Sequence, residues 1–291
     1  QSDRGLRWDH AYDREPFRLG GNSGTTVCAD VNDDGAIDLL TTEIVHWDVG
    51  SSSDPSELLI NTGDPQVRFE RPGNEATGLV RERDRIDWND GDMTAAVFDF
   101  DNDGRQGVWI GSSDYPGTRG LLFHQGADGR FASVPPSIGI DSLAAHGVAV
   151  ADFDRDGDLD VAVGHSRMRC EDQCYETGRV RLFENLVGNR SNWIQIRLEG
   201  GPGTNRSAIG ARVRVRTGER VQTREVGGGH GHYGVQHELA VHFGLGEACR
   251  ADVEIVWPDA ARTTERYELE AGARWFVRQG EVPVREPPPG Q

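Results

Sequence analysis

The sequence predicts an all-β protein: blade-like β repeats first, then a compact β-sandwich. Three observations predict it. An acidic loop pattern recurs three times, each copy is followed by a short β-favouring run, and the C-terminal segment alternates apolar and polar residues between glycine-rich turns. The clearest loop is ADFDRDGDLDVAVG, which sets Asp152, Asp154, Asp156 and Asp160 around Gly157 in the pattern D-x-D-x-D-G-x-x-D. With Asp158 beside them, these carboxylates repel one another unless a cation sits among them. Ca2+ takes roughly six to eight oxygen ligands, and alternate carboxylates followed by a glycine-permitted turn deliver them from one short loop.

The pattern occurs twice more. ADVNDDGAIDLLTT places Asp30, Asn32, Asp34 and Asp38 around Gly35, and FDFDNDGRQGVWIG places Asp99, Asp101 and Asp103 around Gly104. The second copy has Gly107 where the others have their last Asp, so the weakest Ca2+ affinity is expected there, with water filling the position. A helical EF-hand is excluded by the twelfth loop position, which holds Thr41, Ile110 and Val163 instead of a bidentate Glu. Leu159, Val161 and Val163 alternate, and Val108, Trp109 and Ile110 form a β-favouring run, so the loops join strands.

The chain has 291 residues, enough for one or two domains with a substantial core. No apolar run is long enough to span a bilayer as a helix. It opens at Gln1 without a signal segment, as a mature processed protein or a trimmed chain would. The formal net charge of -17 disfavours nucleic acid as a partner, since phosphate binding needs a basic surface. Every Lys-or-Arg position is Arg, which excludes Schiff-base lysine chemistry and a P-loop lysine.

In chain order, residues 1–25 form a lead-in without clear periodicity. Residues 26–189 hold the three β repeats, each a strand, an acidic loop, a second strand and a later apolar stretch: ELLIN, LLFH and VRLFEN. Repetition at this scale reads as propeller blades or units of an array. The first two loops are spaced more widely than the last two, which places an insertion around Val80 to Asp92. Residues 190–279 read as β, with Trp193, Ile194, Ile196 and Leu198, then Val213 and Val215, then Val253, Ile255 and Trp257 on half-buried strands. The tail, residues 280–291, is proline-rich and expected to be extended or disordered.

Four cysteines need placing. Cys170 and Cys174 can close a small disulfide in an oxidising compartment, Cys28 reads as a buried free thiol on a core strand, and a Cys28 to Cys249 pair stays open. Among histidines, His230, His232, His237 and His242 are dense enough to suggest transition-metal ligands. The zinc-protease reading fails, because His237 and His242 are five apart on a β-like segment and would face opposite sides. His230 and His232 share a face in a glycine-rich loop. No nucleophile elbow is present, and carboxylates committed to a cation are unavailable for glycoside hydrolysis.

The three loops resemble the FG-GAP or VCBS repeats of integrin α-chain propellers and bacterial surface proteins. NWIQIRLEG, IGARVRVRTG, REVGGGHGHYG, LAVHFGLG and VEIVWPDA are similar to the ASPIC/UnbV domain of the cartilage acidic protein family. The resemblance implies four-stranded blades with Ca2+ in the loop between the first two strands, followed by a β domain. Relatives of this kind carry more repeats, so three blades would leave edges and apolar faces for a partner or a further portion of chain to cover. The function expected is a secreted, periplasmic or cell-surface interaction protein whose Ca2+ is structural. Its partner would be a protein or a second copy, or a glycan stacking on Trp47, Trp88 or Trp109, although core packing is the expected fate of Trp109. The alternative is an enzyme or accessory subunit of a biosynthetic complex built on His230, His232, Tyr233 and His237.

Overall fold

The computed structural model describes residues 23–46, 54–83, 88–169 and 175–288. Among them, one helical turn (α1, Asn74–Thr77) and two 3-10 turns interrupt an otherwise all-β chain. The first sheet runs β1 (Ser23–Ala29), β2 (Asp38–His46), β3 (Glu57–Asn61) and β4 (Phe69–Glu70) in order. The expected insertion joins this sheet: β5 (Asn89–Gly91) pairs with the far end of β2. Arg81 fixes it there by ion pairs of 2.7 Å to each of Asp90 and Asp92. The second sheet is β6 (Thr94–Phe98), β7 (Gly107–Gly111), β8 (Leu121–Gln125) and β9 (Phe131–Val134). The third has three strands among the described residues, β10 (Ala145–Ala151), β11 (Asp160–His165) and β12 (Val180–Phe183).

Each acidic loop closes the hairpin between the first two strands of its sheet. The sheets stack face to face because their strands alternate. Cross-strand register puts Ala96, Trp109 and Leu122 on one face of the second sheet and Val97, Val108 and Phe123 on the other. The first set packs against Val148, Val150, Val161 and Val163 of the third sheet, and Val108 and Phe123 pack against Val27, Leu40 and Leu58 of the first. Trp109 is fully buried there, as expected, and burial of each such side chain stabilises by about 1.5–3 kcal/mol. Side-chain amides lock each sheet to the loop of the one before. Gln125 donates to the carbonyl of Val31 at 2.9 Å, and Asn185 to that of Phe100 at 2.6 Å, both carbonyls being the second residue of an acidic loop.

The C-terminal part is a sandwich of two four-stranded sheets. Its strands are β13 (Asn192–Glu199), β14 (Arg212–Thr217), β15 (Arg220–Glu225), β16 (Val241–Gly246), β17 (Arg250–Val256), β18 (Thr264–Glu270), β19 (Ala273–Arg278) and β20 (Val284–Arg285). One sheet is ordered β16-β13-β19-β20 and the other β15-β14-β17-β18, all neighbours antiparallel except β13 and β19. Ile194, Ile196, Val213, Val215, Phe243, Val253, Ile255 and Trp257 fill the space between.

Three expectations are refined. The described part of the tail is extended and docked: β20 adds to the sheet beyond residue 279, and Glu286 accepts ion pairs from Arg197 and Arg274 at 2.6 and 3.1 Å. Cys28 is exposed rather than buried, because its neighbour Val27 faces the second sheet and strand alternation turns Cys28 outward; both it and Cys249 are unpaired. Trp88 has one face covered, the Arg83 guanidinium lying 3.8 Å from its ring centre. Cys170, Cys174 and Trp47 fall outside the described residues.

Candidate cation loops beneath the sandwich

The three loops share one backbone. Their fourth residues, Asp33, Asn102 and Arg155, are left-handed (φ 59°, 57° and 63°), as are the glycines two positions on, Gly35, Gly104 and Gly157 (φ 85°, 90° and 101°). Asp and Asn tolerate that conformation better than Arg. The turn aims the carboxylates inward. Asp152, Asp154 and Asp156 each offer an oxygen within 4.8 Å of the others, and so do Asp101 and Asp103 together with a nitrogen of His124.

The first residue of each loop is buried, with exposures of 1% for Asp30, 2% for Asp99 and 5% for Asp152. Each accepts the amide of its loop glycine, at 3.0, 2.8 and 3.2 Å respectively. The second oxygens of Asp99 and Asp152 are buried without a hydrogen-bond partner. Desolvation, reinforced by neighbouring carboxylates, pushes the pKa up to about 6 at Asp30 and Asp152 and about 7 at Asp99. A buried carboxylate oxygen with no donor, facing like charge, is the condition a hard cation relieves. The donor set therefore fits Ca2+ on this structure's own terms.

The ninth-position carboxylates carry a second duty. Asp38 accepts the amides of Val31 and Asn61 at 3.0 and 2.8 Å, and Asp160 those of Phe153 and Asn185 at 2.9 and 2.8 Å. They tie loop to third strand through both oxygens. Asn32 and Asp34 stand exposed at the lip of the first loop, where the Asn32 amide donates to Asp34 at 2.9 Å. Asp158, outside the expected set, is 1% exposed, accepts the Asn189 amide at 3.1 Å and is raised to about 7 by burial, then Asp156 and Asp160.

The sandwich sits on these loops. Arg220 donates to Asp33 at 2.8 Å and to the carbonyls of Asp103 and Gly104 at 3.0 and 2.8 Å, so one guanidinium joins two loops. Gln195 donates to Asp152 at 2.8 Å in the third. His242 donates through Nε2 to Asn102 at 2.5 Å and accepts from Gln195 through Nδ1 at 3.3 Å; burial, then Arg224, holds its pKa down near 3, so the imidazole is neutral. Close approach demands glycine at two points. A Cβ on Gly157 would lie 1.8 Å from the Trp193 ring, and one on Gly244 2.1 Å from an Asp99 oxygen.

The histidines distribute differently from expectation. His230 meets His237, ring centres 5.3 Å apart, whereas His232 packs on Tyr233. His237 accepts the Val150 amide at 3.2 Å, and burial lowers its pKa to about 4. His237 and His242 line one small cavity of about 120 Å3 rather than facing apart, because only His242 belongs to β16 and the chain bends before it. One sequence signal for the interface was available: Arg220, Gln222 and Arg224 recur at a period of two, a polar row on one strand face. His124 gave none, because it reaches its loop only through the pairing of β7 with β8.

Comparison with known proteins finds two partial family matches. Residues 201–284 match the family described as ASPIC and UnbV, and residues 99–163 match the FG-GAP-like repeat. The chain is 27% identical over 244 residues to Cartilage acidic protein 1 of Xenopus tropicalis, covering 79% of this chain and 33% of that protein. The human protein of that name is 24% identical over 67% of this chain and 30% of its own length, and the mouse protein 25% over 79% and 33%. The chain thus spans about a third of the length of the curated relatives it matches. What this chain contains is an FG-GAP-like repeat followed by an ASPIC and UnbV domain, and what it is similar to is Cartilage acidic protein 1.

Proposed function

We propose that this is an extracellular interaction module in which Ca2+ in the acidic loops fixes the sandwich onto the blades. The observation that carries the reading is that the carboxylates of Asp99 and Asp152, which meet the sandwich at Gly244 and Gln195 through one oxygen, each keep a second oxygen buried without a donor. Asp30, Asn32, Asp34 and Asp38, then Asp99, Asp101 and Asp103, then Asp152, Asp154, Asp156 and Asp160 would hold the ions. Bound Ca2+ supplies charge neutralisation, which couples metal binding to folding and to docking of the sandwich. The similarity to Cartilage acidic protein 1 supports a secreted, periplasmic or cell-surface setting, and no helix among the described residues is long and apolar enough to cross a membrane.

The partner reading rests on the third sheet. The second loop residue is buried at Val31, half-buried at Phe100 and 48% exposed at Phe153, because the next sheet covers the first two. Val180 and Leu182 are exposed on the adjacent outer strand. A protein surface presenting a further β-sheet fits this face. The test is thermal melting: EGTA is expected to lower the melting temperature substantially and Ca2+ to restore it better than Mg2+. An unchanged curve would refute the calcium reading.

A further inference from the structure

We propose that the second loop is not a third copy of the same calcium site but a mixed imidazole and carboxylate site for a first-row transition ion of the Zn2+ class. It rests on the premise of the calcium reading that these loops take cations, and it reassigns Asp99, Asp101 and Asp103 from Ca2+ to this ion, leaving Ca2+ the first and third loops. At the ninth position, where the first and third loops have Asp38 and Asp160, the second has Gly107, and a Cβ there would lie 2.7 Å from the Phe100 ring. No carboxylate can enter from that side. Instead β8 contributes His124, whose Nε2 lies 3.1 Å from Asp101 Oδ2 and 3.5 Å from Asp103 Oδ2.

The other loops have no such nitrogen. The residue preceding the strand-end amide is Ile60 in the first sheet and Glu184 in the third, where the second has His124. Phe100 and the imidazole pack edge-to-face, ring centres 5.7 Å apart, which holds His124 at the loop. Asp99 is the independent sign that something positive belongs here. It is 2% exposed, one of its oxygens has no hydrogen-bond partner, and Asp103 and Asp101 are the like charges that act on it most.

Three guanidinium groups face the cluster and must be counted. Arg105 pairs with Asp103 and donates to the Gln125 carbonyl at 3.0 Å, Arg220 donates to the Asp103 carbonyl, and Arg224 is buried near Asp99. None pairs with Asp101. The anchors of the site are therefore Asp101 and His124, with Asp103 shared between the ion and Arg105. Imidazole nitrogen beside carboxylate oxygen suits Zn2+ and its neighbours in the transition series, whereas Ca2+ prefers oxygen alone.

The experiment uses the full chain, its thiols alkylated, freed of metal by chelation and equilibrated with excess Ca2+ and a slight excess of Zn2+. Bound metals are counted by mass spectrometry after gel filtration. One Zn2+ per chain beside Ca2+ is expected, lost in His124→Gln and kept in a His230→Ala, His237→Ala double variant. His124→Gln should still bind Ca2+ and melt cooperatively; should it fail to fold, Asp101→Asn is measured for the same loss. No Zn2+ in the parent chain, Zn2+ that survives these loop substitutions, or Zn2+ lost with His230 and His237 would overturn the proposal. Zn2+ bound without any Ca2+ would leave it standing and overturn the calcium reading instead.

Discussion

The blades and the sandwich are both antiparallel β structure, yet they bury different things. Between its sheets the sandwich buries an uninterrupted apolar set that includes Ile194, Ile255, Phe243 and Trp257. The blades divide their apolar residues between two smaller clusters and also bury Asp30, Asp99, Asp152 and Asp158 with no basic side chain among the described residues paired to them. Apolar burial is stabilising at any cation concentration, whereas buried carboxylates stabilise only when something positive accompanies them. The difference teaches that the two parts draw on different physics, and on the proposed reading the stability of the blades is conditional on a bound cation.

The largest effect should come from removing that condition. A site saturated at about a thousandfold over its Kd contributes about 4 kcal/mol, so EGTA is expected to melt the blades well before the sandwich and give two transitions by calorimetry. A single transition at an unshifted temperature would erase the contrast. Attacking the other side, Ile255→Ala removes a side chain of 0% exposure and should cost about 2–5 kcal/mol with Ca2+ present or absent. If that cost depended on Ca2+, the sandwich would not be the independent partner described.

A smaller effect probes the seam. Arg220→Ala removes charge-assisted hydrogen bonds to two loops and should cost about 1.5–3 kcal/mol. Hydrogen exchange should then rise at the second acidic loop and along β15 more than within β17.

Most of the blade architecture was legible before any coordinates, because D-x-D-x-D-G encodes a backbone rather than a contact: the glycines and their left-handed partners recur at fixed offsets. The sandwich strands were legible for the same reason, as in the alternation of Val253 and Ile255. What sequence left hidden depends on pairs distant along the chain. Asn102 lies 140 positions from His242, and Arg220 lies 187 from Asp33. The exposure of Cys28 was hidden differently: a strand assignment fixes alternation, but only the location of the neighbouring sheet decides which set faces inward.

The finest test of the comparison is pH. In the metal-free protein Asp30 and Asp152 titrate near 6 and Asp99 and Asp158 near 7, against 3.8 in the unfolded chain. Folded protein therefore holds more protons than unfolded protein between about pH 4 and 7, and these groups withdraw stability as pH rises through that window. On the proposed reading bound Ca2+ takes the place of those protons at Asp30 and Asp152, so the gap between melting temperatures with Ca2+ and with EGTA should widen from pH 5 to pH 7.5. His237 and His242, held near 4 and 3, act in the opposite sense: below about pH 6.5 the unfolded chain gains the protons they refuse, and acid destabilises the fold. That contribution is present with or without Ca2+ and cancels in the gap. A gap constant across the range would mean that the buried aspartates are not what the cation neutralises.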